Sequence, residues 1–288
     1  MEKEIIKRAY FANGVEEAVN ELTGQVIQFT KGTGAKGAVV GLSGGIDSTT
    51  VAFLCKKAFD KYNLENPDSK LELYGLIMPS AANSSKDEQD GIMVAKKLGI
   101  NFKTVPIEPI AKIFTENLEE INNKFHKGNL YSELRGVILS RVAAEKNYRV
   151  MGTGNRDEDD VLGYFTKRGD GAVDNNILGN VPKRLVKELA LELGVPEEII
   201  NRKPTAGLWE EQTDEGELGY TYDQAEIIKN GFDQDLTKEK IAEITGFKEE
   251  DIQDVQERHS KTQHKREVPR IGKINLMYDF WEGKNGKS

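Results

Sequence analysis

The stretch Val39–Ser48, VVGLSGGIDS, limits the possible folds of this chain more than any other. Ala38, Val39 and Val40 are short and apolar, as a buried strand requires; Gly41-Leu42-Ser43-Gly44-Gly45 then turns, and the run from Asp47 (DSTTVAFLCKKAF) has helical character. A strand, a glycine turn and a helix start aim several backbone N–H groups at one point, and the helix end adds about half a positive charge there. Gly44 and Gly45 carry no Cβ, so a phosphate can approach the main chain, and Ser43 and Ser48 can add hydroxyl donors. Asp47 would repel a phosphate unless Mg²⁺ stood between them. The lysine of G-x-x-x-x-G-K-[ST] is missing, so this is not a Walker P-loop. The bland alternative is a tight strand-to-helix turn that binds nothing, which has little need of two glycines, two serines and an aspartate together.

Around this loop, strand candidates at Leu71–Met78, Asn101–Val105 and Arg149–Met151 alternate with helical runs at Lys86–Leu98, Ile110–Phe125 and Leu130–Asn147. That alternation predicts an α/β fold, a doubly wound parallel sheet covered by helices on both faces and Rossmann-like in plan. Ligands in such sheets collect at the carboxyl ends of the strands. The turns at 41–48 and 152–158 both follow strands, so the active site is expected where they meet. The spacing of apolar residues over 2–30 is largely helical, with Gly14 and Gly24 against one unbroken helix. Val181–Leu193, Tyr222–Asn230, Thr237–Thr245 and Lys248–Lys261 are expected helices, and residues 201–220 a long loop or lid. The expected organisation is one domain over 1–275, with an N-terminal helical arm and C-terminal helices, and a polar tail over 276–288.

Charge and cysteine usage narrow the class. The net charge of −8 argues against general affinity for nucleic acid or anionic membranes, so a polyanionic ligand must be met by local Lys and Arg clusters. Cys55 is the single cysteine, which cannot form an internal disulfide and suits a cytoplasmic protein; packing is the simpler reading of its role. No apolar run is long enough to span a membrane.

The loop resembles the S-G-G-x-D-S pyrophosphate loop of the N-type ATP pyrophosphatases, whose fold is adenine nucleotide alpha-hydrolase-like. GTGN with RDE at 152–158, GYFTKRGDG at 163–171, Asp174, PKRLVKELA at 182–190, PTAGLWEEQTDEGELG at 204–219 and HKREVP at 264–269 follow in order. With Pro79 and Ser84-Ser85, these strings look like NAD synthetase over about residues 20 to 270.

The resemblance implies ATP-dependent amidation of deamido-NAD by ammonia, through an adenylate, with release of AMP and pyrophosphate. By motif, ATP would be bound by Gly41, Leu42, Ser43, Gly44, Gly45, Ile46, Asp47, Ser48, Thr153, Lys183 and Thr205. Deamido-NAD would be bound by Arg135, Lys167, Asp174, His264 and Lys265, and Mg²⁺ by Asp47 and Glu158. Asp47, Lys183 and Asp174 would be the catalytic set. Lys183 stands at a helix start, where the dipole disfavours a cation unless an anion is present. The spacing from Glu158 to Lys167 is one residue longer than the family's, which leaves Asp159 open for the metal role. Relatives with N-x-x-A-R-x-R carry an arginine where this chain has Glu133, and only Arg135 remains. The resemblance also implies a homodimer, with residues 2–30 or 110–147 as candidate interface and monomer core as the alternative. No catalytic cysteine is available for a glutaminase, since Cys55 lies in the helix after the loop, so free ammonia is the expected donor and a separate amidase partner is left open. The acidic balance and lack of a CxxC pattern count against the tRNA-modifying members of the superfamily.

Overall fold

In the computed structural model, residues 5–118, 123–202 and 214–269 are described. Four short strands form, β1 (Gly37–Gly41), β2 (Glu72–Ile77), β3 (Asn101–Thr104) and β4 (Tyr148–Met151), of which β3 is a partly exposed, mostly polar edge. They pair in parallel in the order β3-β2-β1-β4, with Val39 opposite both Tyr74 and Val150. Successive side chains on a strand point to opposite faces. Ala38 and Val40 therefore join one apolar layer, while Val39 joins the other.

The first layer is closed by α1 (Val15–Gly32), α2 (Ile46–Glu65), α3 (Ser85–Leu98) and α6 (Lys183–Glu192), which contribute Val19, Leu54, Val94 and Leu189. On the opposite face, α4 (Glu108–Asn117) and α5 (Lys124–Lys146) pack Ala111, Tyr131 and Leu134 against Val39, Leu76 and Val150. Both faces are covered, as the alternating pattern predicts. The chain leaves β1 toward β2 on one side and returns to β4 on the other. The strand order thus reverses between β1 and β4, which is where an open α/β sheet forms a crevice at its carboxyl edge.

A third apolar cluster joins a π turn (Asp157–Leu162) to α9 (Tyr222–Asp233), α10 (Lys238–Thr245) and α11 (Glu249–Lys261) through Val161, Leu162, Ile228, Ile241, Ile252 and Val255. The short helices α7 (Glu197–Ile200), α8 (Asp214–Leu218) and α12 (Gln263–Arg266) complete the described chain.

Two boundaries depart from the sequence expectation. The helix expected over 2–30 begins only at Val15, after Gly14 with φ of +86°. Residues 5–14 instead cross to the third cluster, where Ile6 is buried. Arg8 there pairs with Asp223 and Glu226, and Arg184 also pairs with Glu226, a fully buried carboxylate. The helical spacing of those first apolar residues serves tertiary contacts rather than a helix. The helix expected over Ile110–Phe125 ends at Asn117, where Leu118 is extended. Phe125 belongs to α5, whose start is capped by the Asn123 side chain accepting from the His126 N–H. Most of the expected 201–220 loop, and the 276–288 tail, lie outside the described residues.

Candidate active site

The chain turns off β1 while the Leu42 N–H still donates to the Leu76 carbonyl at 2.8 Å, so the loop stays tied to the sheet. Gly44 then adopts φ of +79°, and a Cβ there would lie 2.6 Å from the Asp87 carbonyl oxygen. Glycine is required for both reasons. The Ser43 and Ser48 hydroxyls lie 2.9 Å apart, Ser43 Oγ accepts from the Gly45 N–H, and Ser48 Oγ donates to the Gly45 carbonyl. These bonds preform the turn. Helix α2 follows with Gly45 as its cap residue and no side-chain cap, which leaves its first N–H groups available to an anion.

The loop forms one wall of a cavity of about 440 Å³. Gly41, Leu42, Ser43, Gly45, Ile46, Asp47 and Ser48 line it together with Thr153, Glu158 and Lys183 from the β4 side. Gly44 is not on the lining and instead makes the close approach to α3.

At the floor, Lys183 Nζ sits 2.5 Å from Asp47 Oδ2 and 2.9 Å from Glu158 Oε1. Lys183 is only 6% exposed, so it is a buried cation held by two acids. Those acids raise the lysine's pKa, outweighing the effect of burial, which acts to lower it. Burial, with Asp47 nearby, pushes the Glu158 carboxyl up to about 8, against the pull of Lys183. Asn155, fully buried, donates Nδ2–H to Asp47 Oδ1 at 3.1 Å and accepts from the Asp157 and Glu158 N–H groups, so it starts the π turn. Asp157 accepts the Lys183 backbone N–H at 2.8 Å, capping α6 from outside, since Pro182 has no side chain able to do so. Burial raises the Asp157 carboxyl to about 7, and its Oδ1 has no partner.

Asp47 and Glu158 are hard oxygen donors facing one another across an ammonium. Among the described residues no group of three or more His, Cys, Asp or Glu could hold a metal ion. Among the described residues the site therefore offers two carboxylates, which with phosphate and water oxygens make the kind of donor set Mg²⁺ prefers. On donor chemistry the site fits Mg²⁺. Asp159 is not on the cavity lining: it accepts from Asn176 Nδ2 at 2.6 Å, and burial, with Asp170 and Asp47 nearby, raises it to about 7. Glu158 and Asp159 both lie in the π turn Asp157–Leu162.

The expected dinucleotide residues divide. Arg135 lines the cavity, donating to the Met78 carbonyl, Ser80 Oγ and Asn83 Oδ1, and burial lowers its pKa to about 10. Lys265 also lines it, donating to the Gly163 and Phe165 carbonyls, and burial lowers its pKa. Lys167 and His264 line a separate shallow depression, where Lys167 Nζ donates to the His264 and Glu267 carbonyls. Asp174 is exposed, outside the cavity lining, and accepts from the Val150 N–H at 2.8 Å. Glu133 is exposed on α5. Thr205 lies outside the described residues.

Three cavity-lining residues are not singled out by the sequence: Ser132, whose Oγ donates to Asp170 Oδ1 at 2.6 Å, Arg202, which donates to the Gly44 carbonyl, and Tyr222, whose ring lies 5.6 Å from Lys183 Nζ; Asn155 and Asp157, just outside the lining, fall within the 152–158 string, which assigns them no role. For Asn155 a signal existed, since Asn before an acidic run after a strand is a helix-start signature.

The sequence pattern of the family described as NAD synthase matches residues 18–269. The chain belongs to the NAD synthase family. Relatives include the NH(3)-dependent NAD(+) synthetase of Pyrococcus horikoshii, 42% identical over 246 residues, which span 85% of this chain and 91% of that protein. The NH(3)-dependent NAD(+) synthetase of Methanocaldococcus jannaschii is 39% identical over 262 residues, 90% of this chain and 97% of that one. Among solved structures, the NMN synthetase from Francisella tularensis superposes with a TM-score of 0.78 at 31% identity, covering 91% of this chain and 99% of that chain. The NH3-dependent NAD synthetase from Campylobacter jejuni, in complex with nitrate ion, gives 0.73 at 25%, covering 91% and 100%. The family's fold accounts for the crevice between β1 and β4 and for the loop that lines it.

Proposed function

We propose that the chain catalyses the ATP-dependent amidation of deamido-NAD to NAD with ammonia, a ligase reaction that forms a C–N bond. The observation that carries this reading is the convergence of the SGGIDS loop, Asp47, Glu158 and Lys183 on one cavity in a chain of the NAD synthase family.

A nicotinate carboxylate is a poor acyl donor because oxide is a poor leaving group. Its oxygen attacks the α-phosphorus of ATP, an O–P bond forms, and the bond to pyrophosphate breaks. Ammonia then attacks the activated carbonyl, a C–N bond forms, AMP departs and the nitrogen loses its proton. The loop N–H groups and the α2 start hold the departing pyrophosphate, with Ser43 and Ser48 keeping the turn in shape. Lys183, held between Asp47 and Glu158 at the cavity floor, would neutralise charge on the phosphates. Bound between Asp47 and Glu158, Mg²⁺ would supply charge neutralisation at the phosphoryl oxygens. Thr153 and Thr205 complete the ATP contacts in this reading, and Arg135, Lys167, Asp174, His264 and Lys265 bind deamido-NAD. A homodimer in the cytoplasm is part of the same reading, with the exposed Ile113, Phe114, Phe125 and Val137 on α4 and α5 as its interface.

The test is direct. Purified protein with ATP, Mg²⁺, deamido-NAD and ammonium is expected to form NAD and AMP in equal amounts, and glutamine is expected to replace ammonium poorly. No NAD above background from folded protein refutes the reading. A second reading, amidation of nicotinic acid mononucleotide, is favoured by the likeness to the Francisella NMN synthetase. The same assay with the mononucleotide decides between them by the ratio of kcat/KM values.

A further inference from the structure

Arg202 follows α7, whose Ile199 and Ile200 are anchored in the apolar core beside α6. Its side chain is 20% exposed, lines the cavity and bridges three groups beside the phosphate loop. Nη1 donates to the Gly44 carbonyl at 3.3 Å and to Asp87 Oδ1 at 2.8 Å, while Nη2 lies 2.9 Å from Asp90 Oδ2. Asp90 is also within 3.2 Å of Lys86 Nζ, although that lysine is largely exposed and screened. Asp87 already caps α3 by accepting the Ser84 N–H, and its carbonyl is the atom that Gly44 approaches.

Two carboxylates thus stand beside a loop whose task is to receive anions, and Asp87 lines the cavity itself. Unneutralised, they would oppose phosphate binding at short range. A planar guanidinium offers donors on two separate nitrogens, so Nη1 serves the loop carbonyl and Asp87 while Nη2 reaches Asp90. We propose that Arg202 is a positioning residue for the ATP phosphates: it fastens the Gly44 carbonyl to α3 and cancels the charge of Asp87 and Asp90 beside the loop. This rests on the reading of the loop as the pyrophosphate site.

The experiment compares wild type, Arg202→Met, Arg202→Lys and Arg202→Met/Asp90→Asn. It measures ATP–Mg²⁺ affinity by calorimetry, KM for ATP and for deamido-NAD in the NAD assay, and Tm. Arg202→Met is expected to weaken ATP at least tenfold in both Kd and KM, with KM for deamido-NAD within twofold of wild type. Arg202→Lys is expected to fall between, and the double variant to regain at least threefold in ATP affinity over Arg202→Met. Unchanged ATP affinity in Arg202→Met overturns the proposal. So does an equal rise in both KM values together with a lowered Tm, which marks a role in folding only. If Arg202→Met does not fold, Arg202→Lys carries the comparison, and wild-type ATP affinity in it overturns the proposal. Wild type that binds ATP yet forms no NAD refutes the proposed reaction and leaves the calorimetric comparison to decide the role of Arg202.

Discussion

Replacing Lys183 with Met removes the one cation placed between Asp47 and Glu158 while keeping most of the side chain's volume. The ammonium is buried and lies 2.5 and 2.9 Å from the two carboxylates. Breaking a buried pair by deleting one partner costs about 3–5 kcal/mol, because the remaining charges are left uncompensated. Here the loss depends on pH. The Glu158 carboxyl titrates near 8 even beside the lysine, and without it the pKa rises further. Below the Glu158 pKa both proteins hold that proton and the variant leaves only Asp47 uncompensated, whereas at pH 9 the wild-type carboxyl ionises beside the lysine and the variant offers it no cation, so the loss is larger there. With about 2 °C of Tm per kcal/mol for a chain of this size, the expected loss is about 6–10 °C at pH 9 and markedly less at pH 6. Turnover is expected to fall about 10²–10³-fold at either pH, the usual cost of losing one group that stabilises transition-state charge. Lys183→Arg should retain most of the stability. Thermal unfolding by circular dichroism at the two pH values, with NAD formation in parallel, measures both effects. Equal Tm values for variant and wild type at pH 9, or turnover within threefold, refute the account of this triad.

Three further outcomes are expected. Stability of the ligand-free protein should fall as pH rises from about 4 to 7. The Asp157 carboxyl moves from 3.8 to about 7 on folding, so the folded state holds the extra proton and loses it through that window; for this buried group the effect is about 4 kcal/mol, read from urea midpoints, and a midpoint that rises instead refutes it. Gly44→Ala should weaken ATP binding at least tenfold, because φ of +79° costs an L-residue about 1–2 kcal/mol and the new Cβ meets the Asp87 carbonyl; wild-type affinity would contradict the loop geometry. Cys55 is fully buried and its thiol is pushed up to about 12 by burial, so a thiol reagent should label it only after denaturation; rapid labelling of native protein would show the core is open there.

The phosphate loop was readable in the sequence because its determinants are local: a strand, two glycines, two serines and a helix start within ten positions. Sheet type was readable for the same reason, since alternation of periods is written along the chain. Lys183 needed the family motif, because only tertiary structure brings it to Asp47, 136 residues away in sequence. Asn155 and Asp157 organise that meeting from an acidic run that, alone, resembles a solvated loop. Arg202 lies 158 residues from Gly44 and has no pattern at all. The ten residues before α1 were misread as helix because Ile6 satisfies a helical spacing while packing against α9 and α10.

That last feature has a practical side. Glu226 is sealed from solvent and shared by Arg8 and Arg184, and Arg184 is the immediate neighbour of Lys183 on α6. Trimming the first eight positions, by protease or by a careless cloning boundary, would strip one guanidinium from an enclosed acid and leave the other to satisfy it. The helix that presents the active-site lysine would then be loosened from the far end of the molecule, so an affinity handle belongs at the other terminus.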